Sequence, residues 1–122
     1  LIDCLGLIIF IFSLSLESLA DWQLHQFKKN YPGQVCNYKL WRLSRHPNCF
    51  FEWLIWCSFS VAAVSSPYGE LSLISPLALY LIMTYLTIPV TERESIQSRG
   101  RAYIEYQLST PRFFPKINKL TK

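Results

Sequence analysis

The chain is short of the residues that mark the common soluble chemistries. Its 122 residues hold four scattered glycines and no P-loop or G-x-G-x-x-G run, so the usual backbone cradles for phosphate are missing. Four cysteines, Cys4, Cys36, Cys49 and Cys57, show no C-x-x-C spacing, and His25 and His46 stand 21 positions apart without an H-x-x-x-H pattern. That leaves no metal signature, and the cysteines read as free thiols. Charge is scarce as well: 16% of residues are charged, with 8 Asp+Glu against 12 Lys+Arg and a net charge of +4. With 51% hydrophobic and 16% aromatic residues, disorder and collagen-like repeats are excluded. A mean hydropathy of +0.18 calls for a large apolar core or a membrane. A chain this short cannot build a large core.

What it does have is three apolar runs. Leu1 to Ala20 is interrupted only by Asp3, a few serines and Glu17, a length that suits one bilayer crossing. A signal peptide is the rival reading, since Ser18-Leu19-Ala20 resembles a cleavage site, but no basic residue precedes the apolar stretch. The second run, Phe50 to Val64, becomes long enough to span if Pro47 and Asn48 start the helix, with Glu52 its single charge. The third, Leu71 to Val90, carries Pro76 and Pro89 near its ends, where a helix tolerates them best. Between the last two lies a turn-forming loop, Ser65 to Glu70, which predicts an antiparallel helical hairpin. The first residue is Leu1, not Met, and lies inside an apolar run, so the chain reads as the C-terminal part of a longer protein.

Basic residues test this reading independently. Lys28, Lys29, Lys39, Arg42 and Arg45 lie between the first and second runs; Arg93, Arg99, Arg101, Arg112, Lys116, Lys119 and Lys122 follow the third; none lies in the Ser65 to Glu70 loop. The expected fold is therefore all-α, a polytopic membrane bundle of about three membrane helices plus a C-terminal cytosolic amphipathic helix, forming one domain over residues 1–122. Topology accounts for the basic balance, so neither nucleic acid nor metal is expected as a partner. A soluble helical bundle should show amphipathic stripes, whereas the second and third runs are apolar on nearly every face.

Three groups of polar residues could carry chemistry. Glu52 is a carboxylate near a membrane helix, which needs a partner or a polar cavity; a snorkelling or salt-bridged structural role is the alternative. Arg45-His46-Pro47-Asn48 joins exposed N–H groups, a positive helix end and a guanidinium into an anion site, suited to phosphate, or else forms a basic patch on lipid headgroups with Asn48 capping the helix. In Thr91 to Tyr106, helical spacing puts Glu92, Arg99, Tyr103 and Tyr106 on one face, beside Arg93, although Gly100 weakens an unbroken helix. That face suits a nucleotide, with Trp41 as a further ring neighbour, or it lies on the bilayer surface with its tyrosines at the interface.

The blocks Glu17 to Gln23 with Phe27-Lys28, Leu40 to Asn48, Glu52, Pro89 with Glu92, Gly100 to Tyr103 with Tyr106, and Phe113-Phe114-Pro115 together resemble the DUF1295 membrane family. That family is related to steroid 5-alpha-reductases and, more distantly, to isoprenylcysteine carboxyl methyltransferases. The resemblance implies a cytosol-facing cofactor pocket in a helical membrane enzyme. Arg45, His46 and Asn48 would then meet the cofactor with Glu52 behind them, and Glu92, Arg93, Tyr103 and Tyr106 would form a C-terminal contacting block. Lys28, Asp21 and Gln23 match an earlier one. The chain departs from the pattern at Lys39 and Phe51, where the family commonly has glycine.

What the resemblance implies about activity is an NADPH-dependent reductase acting on a carbon–carbon double bond of a lipid or steroid-like substrate. Such a protein is integral and multi-pass, in the endoplasmic reticulum of a eukaryote or the inner membrane of a bacterium. Tyr38, Tyr80 and Tyr85 are proton-donor candidates by residue type alone. An S-adenosylmethionine-dependent membrane methyltransferase is the rival enzyme, and a truncated non-catalytic membrane protein is the third reading, since reductases of that lineage place their substrate cavity largely on earlier helices.

Overall fold

The computed structural model describes residues 2–64 and 66–116, and the described chain is helical with no strand. Leu1, Ser65 of the expected hairpin loop, and Lys119 and Lys122 of the basic tail lie outside the described residues. Helix α1 runs Ile2–Asn30, ten residues past the apolar stretch. After Gly6 no glycine or proline interrupts it before Pro32, and its last turn carries Lys28 and Lys29, which complement the negative end of the helix dipole. Tertiary burial holds the extension: Ala20 is fully buried with Cys36 and Trp41, and Leu24, Phe27 and Leu40 pack around them.

A short turn, α2 (Leu40–Leu43), leads into α3 (Pro47–Ala63), which starts at Pro47 as the sequence predicts because the first helical position needs no N–H. Helices α1 and α3 pack along a seam of small residues. Gly6, Ser13 and Ala20 recur every seven positions on α1 and are all buried. A Cβ on Gly6 would lie 3.0 Å from both the Ala62 Cβ and the Ser58 carbonyl oxygen, so the backbones meet as closely as side chains allow.

The third apolar run forms one helical stretch, Gly69–Arg99, built from a 3-10 turn Gly69–Leu73, helix α4 (Ile74–Ile82), a π turn Met83–Thr87 and helix α5 (Ile88–Arg99). Pro76 sits in the first turn of α4, and its carbonyl accepts the Trp53 indole N–H at 3.0 Å, tying the hairpin together. Pro89 explains the π turn. The Ile88 N–H bonds five residues back to Met83, and the next carbonyl, Thr84, would need the N–H that Pro89 lacks. Arg112 supplies it instead, donating from Nη2 to the Thr84 carbonyl.

At Gly100, with φ +61°, the helix breaks and α6 (Arg101–Ser109) begins, so the expected single face from Glu92 to Tyr106 is assembled from two helices. The chain then returns along the start of α3. The Arg45 N–H donates to Pro111 at 2.8 Å and the Lys116 N–H to Leu43 at 3.0 Å, while the Ser44 hydroxyl donates to the Phe113 carbonyl at 2.8 Å. Phe113 seats its ring edge-on to Phe50, Trp53 and Tyr80, with centroids 5.3 to 5.8 Å away. Each such pair adds about 0.5–1.5 kcal/mol beyond area burial.

Two stretches, Asp3–Asn30 and Gly69–Arg99, are long and apolar enough to cross a membrane. The remainder of the chain covers little of them: Leu7, Ile8 and Phe12 on the first and Ile74, Leu77 and Leu86 on the second stay exposed. Helix α3, expected as a third crossing, has 17 residues and reaches about 26 Å. Among the described residues the fold is all-helical, with two helical stretches of membrane-spanning length and hydropathy.

Candidate functional site

Where the polar ends of α1, α3 and α5 meet α6, they enclose a half-open cavity of about 300 Å³. Lys28 reaches it from α1; Arg45, His46 and Asn48 come from the start of α3; Tyr103 and Tyr106 come from α6. From α5 a stripe at four-residue spacing, Thr87, Thr91, Ser95 and Arg99, forms one wall, and Cys36 and Trp41 form another. Among the described residues no carboxylate lines it.

Glu92 stands just behind this lining as the hub that holds it. Its Oε2 accepts hydrogen bonds from Arg45 Nη1 at 2.9 Å, His46 Nε2 at 3.0 Å and the Tyr103 hydroxyl at 3.0 Å, and its Oε1 accepts one from Gln107 at 3.4 Å. With Glu92 ionised, the His46 proton is on Nε2. The side chains of Arg45 and Glu92 are 11% and 10% exposed, so one charge cancels the other in a largely dry setting. The Arg45 Nε is buried with no partner among the described residues, an unsatisfied donor at the cavity wall.

The other groups are fixed by the fold. The Tyr106 hydroxyl donates to the carbonyls of Trp41 and Ser44, and the Trp41 indole donates to Ala20 at 2.9 Å, so the α2 turn is clamped to α1 and α6. Burial, then the carboxylate of Glu92, pushes the Tyr103 phenol above its ordinary range; burial, then Tyr103 itself, does the same for Tyr106. Both remain protonated donors at neutral pH. Burial raises the Cys36 thiol to about 11, which keeps it unreactive. The Asn48 Oδ1 accepts the Cys49 N–H at 2.9 Å, a local cap, while Arg99 donates from Nε to the Gln34 carbonyl at 3.1 Å and so shapes the rim.

Of the residues expected at a cofactor, the structure brings Lys28, Arg45, His46, Asn48, Tyr103 and Tyr106 together on one cavity. Two placements are corrected. Arg93 is exposed on the far side of α5, one residue from Glu92 and therefore rotated about 100° from it. Glu52 is exposed one helical turn deeper than Asn48, within electrostatic range of Glu17 and of Cys49, and does not itself line the cavity. Asp21 is exposed, and Gln23 is buried with its Oε1 accepting the Leu40 N–H at 3.2 Å, so neither lines the cavity. Tyr38, Tyr80 and Tyr85 do not line it either. Sequence reasoning missed the Thr87-Thr91-Ser95 stripe, whose four-residue spacing of small hydroxyls is legible once α5 is known to continue past Val90.

Lys39 has φ +54°, a backbone conformation that favours glycine, which is the residue the family resemblance expects there. The chain belongs to the DUF1295 family, a protein family of unknown function, whose family model matches residues 1–110. No curated protein and no solved structure matches the chain.

Proposed function

We propose that this chain is the cofactor-binding part of a membrane-embedded enzyme that modifies a lipid, and that its cavity receives the phosphate-bearing end of NADPH. The observation that carries this reading is the charge of the cavity: Lys28 and Arg99 line it with no paired carboxylate, the Arg45 charge is met by Glu92 behind the wall, and no carboxylate among the described residues lines it. Such a lining favours a polyanion and repels the sulfonium of S-adenosylmethionine. At about 300 Å³ the cavity stands at the bottom of the usual ligand range, room for one end of a dinucleotide and not for the whole.

Within this reading Lys28 and Arg99 hold phosphate oxygens at the rim, Glu92 fixes Arg45 in the wall, and Trp41 and Tyr103 offer rings for a planar group. NADPH supplies a hydride when bound, and the finer reading is reduction of a carbon–carbon double bond in a steroid-like lipid by a related lineage. A second reading, a membrane protein that binds without catalysing, has its own support. Arg45, His46, Glu92 and Tyr103 are hydrogen-bonded to one another, and no unengaged acid lines the cavity to protonate a product.

Titration of the nanodisc-held chain with NADPH and with S-adenosylmethionine, followed by intrinsic tryptophan fluorescence, separates these. Saturable NADPH binding that weakens about tenfold in Lys28→Ala and in Arg99→Ala is expected. Binding of S-adenosylmethionine alone moves the protein to the methyltransferases, and binding of neither by a folded chain leaves the non-catalytic reading.

A further inference from the structure

A second cavity, of about 570 Å³, lies on the opposite face of α1 from the first. Leu24 and Lys28 face the first cavity, whereas Trp22, Gln26 and Asn30, spaced four apart, face the second. The loop 31–39 folds back to close it. Its polar lining is unusual in composition: five primary amides, Gln23, Gln26, Asn30, Gln34 and Asn37, with one ammonium, Lys39, and no carboxylate.

We propose that this cavity binds the headgroup of a membrane lipid in which a hydroxyl-rich ring is joined through a phosphodiester. A primary amide offers donors and acceptors side by side, and a ring hydroxyl both donates and accepts, so the two match in either orientation. Apart from Gln23, whose oxygen holds the Leu40 N–H, these amide side chains make no hydrogen bond to the described chain. Trp22, Tyr31 and Tyr38, all about half exposed, line the same cavity, and their flat faces suit the C–H faces of a ring.

Position selects a lipid as the source. Trp22 follows directly on the apolar part of α1, so the aromatic rings stand at headgroup depth if that helix crosses a bilayer. Charge selects the linkage. Lys39 brings an ammonium to the wall, with Nζ 5.2 Å from the Tyr38 ring centroid, and does so from a positive-φ backbone that a glycine would hold without strain. An ammonium with no carboxylate beside it suits a phosphodiester and disfavours a headgroup carrying its own quaternary ammonium.

The test uses the full chain reconstituted in phosphatidylcholine nanodiscs containing equal minor fractions of phosphatidylinositol and phosphatidylserine, released for native mass spectrometry to identify retained lipid. Phosphatidylinositol should be retained in preference to phosphatidylserine, and retention should fall about tenfold in Gln26→Ala/Asn37→Ala, whose altered side chains support no other part of the described fold. Lys39→Gly should lower retention while raising thermal stability, a combination a purely structural lysine would not give. Equal retention of the two anionic lipids would overturn the proposal by reducing the site to charge. Saturable binding of soluble inositol 1-phosphate without lipid preference would also overturn it, by assigning the cavity to a free polyol phosphate.

Discussion

His46 and Glu92, 46 positions apart in the chain, meet at 3.0 Å between Nε2 and Oε2, and Arg45 joins them at 2.9 Å on the same oxygen. That junction fixes the start of α3 against α5, and with it the cavity between them. It holds because every strong donor within reach, the Tyr103 hydroxyl included, converges on one carboxylate.

Removing that carboxylate should therefore cost far more than removing one of its donors. Glu92→Ala leaves the Arg45 charge buried and uncompensated, an expected loss of about 3–5 kcal/mol. Tyr103→Phe deletes a single bond to a charged group and should cost about 1.5–3 kcal/mol. Chemical denaturation in detergent, read by tryptophan fluorescence, checks both; similar losses would show that the hub is no hub.

Two glycines should behave differently for different reasons. A Cβ at Gly69 would fall 1.8 Å from the Ala63 carbonyl oxygen, so Gly69→Ala must push the α3–α4 hairpin apart and should leave little folded chain. Gly100 has nothing within 4 Å of such a Cβ, and only its φ of +61° resists substitution. With ψ −133° this is outside the left-handed helical well, and Gly100→Ala should fold with a loss of about 1–3 kcal/mol.

Arg112 and Pro89 form a testable pair. Arg112→Ala strands the Thr84 carbonyl and should cost about 1–3 kcal/mol. Pro89→Ala restores an N–H at the position where the π turn needs one, so the double variant should recover part of that loss. Additive losses in the double-mutant cycle would disconnect the arginine from the π turn.

Cys36 provides a chemical report on the first cavity. Its thiol is raised to about 11 from 9.0 by burial, so at pH 8 its thiolate fraction, and its alkylation by iodoacetamide, should be roughly a hundredfold below that of an unburied thiol. The rate should climb with pH until about 11. Because the proton is held more tightly in the folded chain, the stabilising contribution is full below pH 9 and is lost as pH rises through 11. NADPH should slow the alkylation further if it occupies the cavity that Cys36 lines.

Crossing number can be read by labelling. Three crossings put Pro67 on the opposite side of the bilayer from Glu105, so in intact vesicles a membrane-impermeant maleimide should label Pro67→Cys and Glu105→Cys from opposite sides. Both residues are exposed, which makes the comparison fair. Labelling from one side would mean that the Gly69–Arg99 stretch does not cross.

Much of this was legible because it is local. Three apolar runs, the start of α3 at Pro47, and the Arg45, His46 and Asn48 block with Lys28, Tyr103 and Tyr106 all follow from composition, proline geometry and the family resemblance. The continuation of α1 to Asn30 did not, nor did the joining of the third apolar run to the polar helix that ends at Arg99, since these depend on what packs on them: Cys36 and Trp41 on the first, the Glu92 junction on the second.

The sequence by itself determined where the apolar helices lie, which of them are apolar enough for a membrane, and that basic and aromatic groups gather near their ends. Tertiary structure decided the roles. Glu52 and Glu92 are both glutamates near helix ends, yet one is exposed beside Glu17 and the other buried under Arg45 and His46. The difference is one of helix register and of which distant segment lies opposite, and no local pattern contains that information.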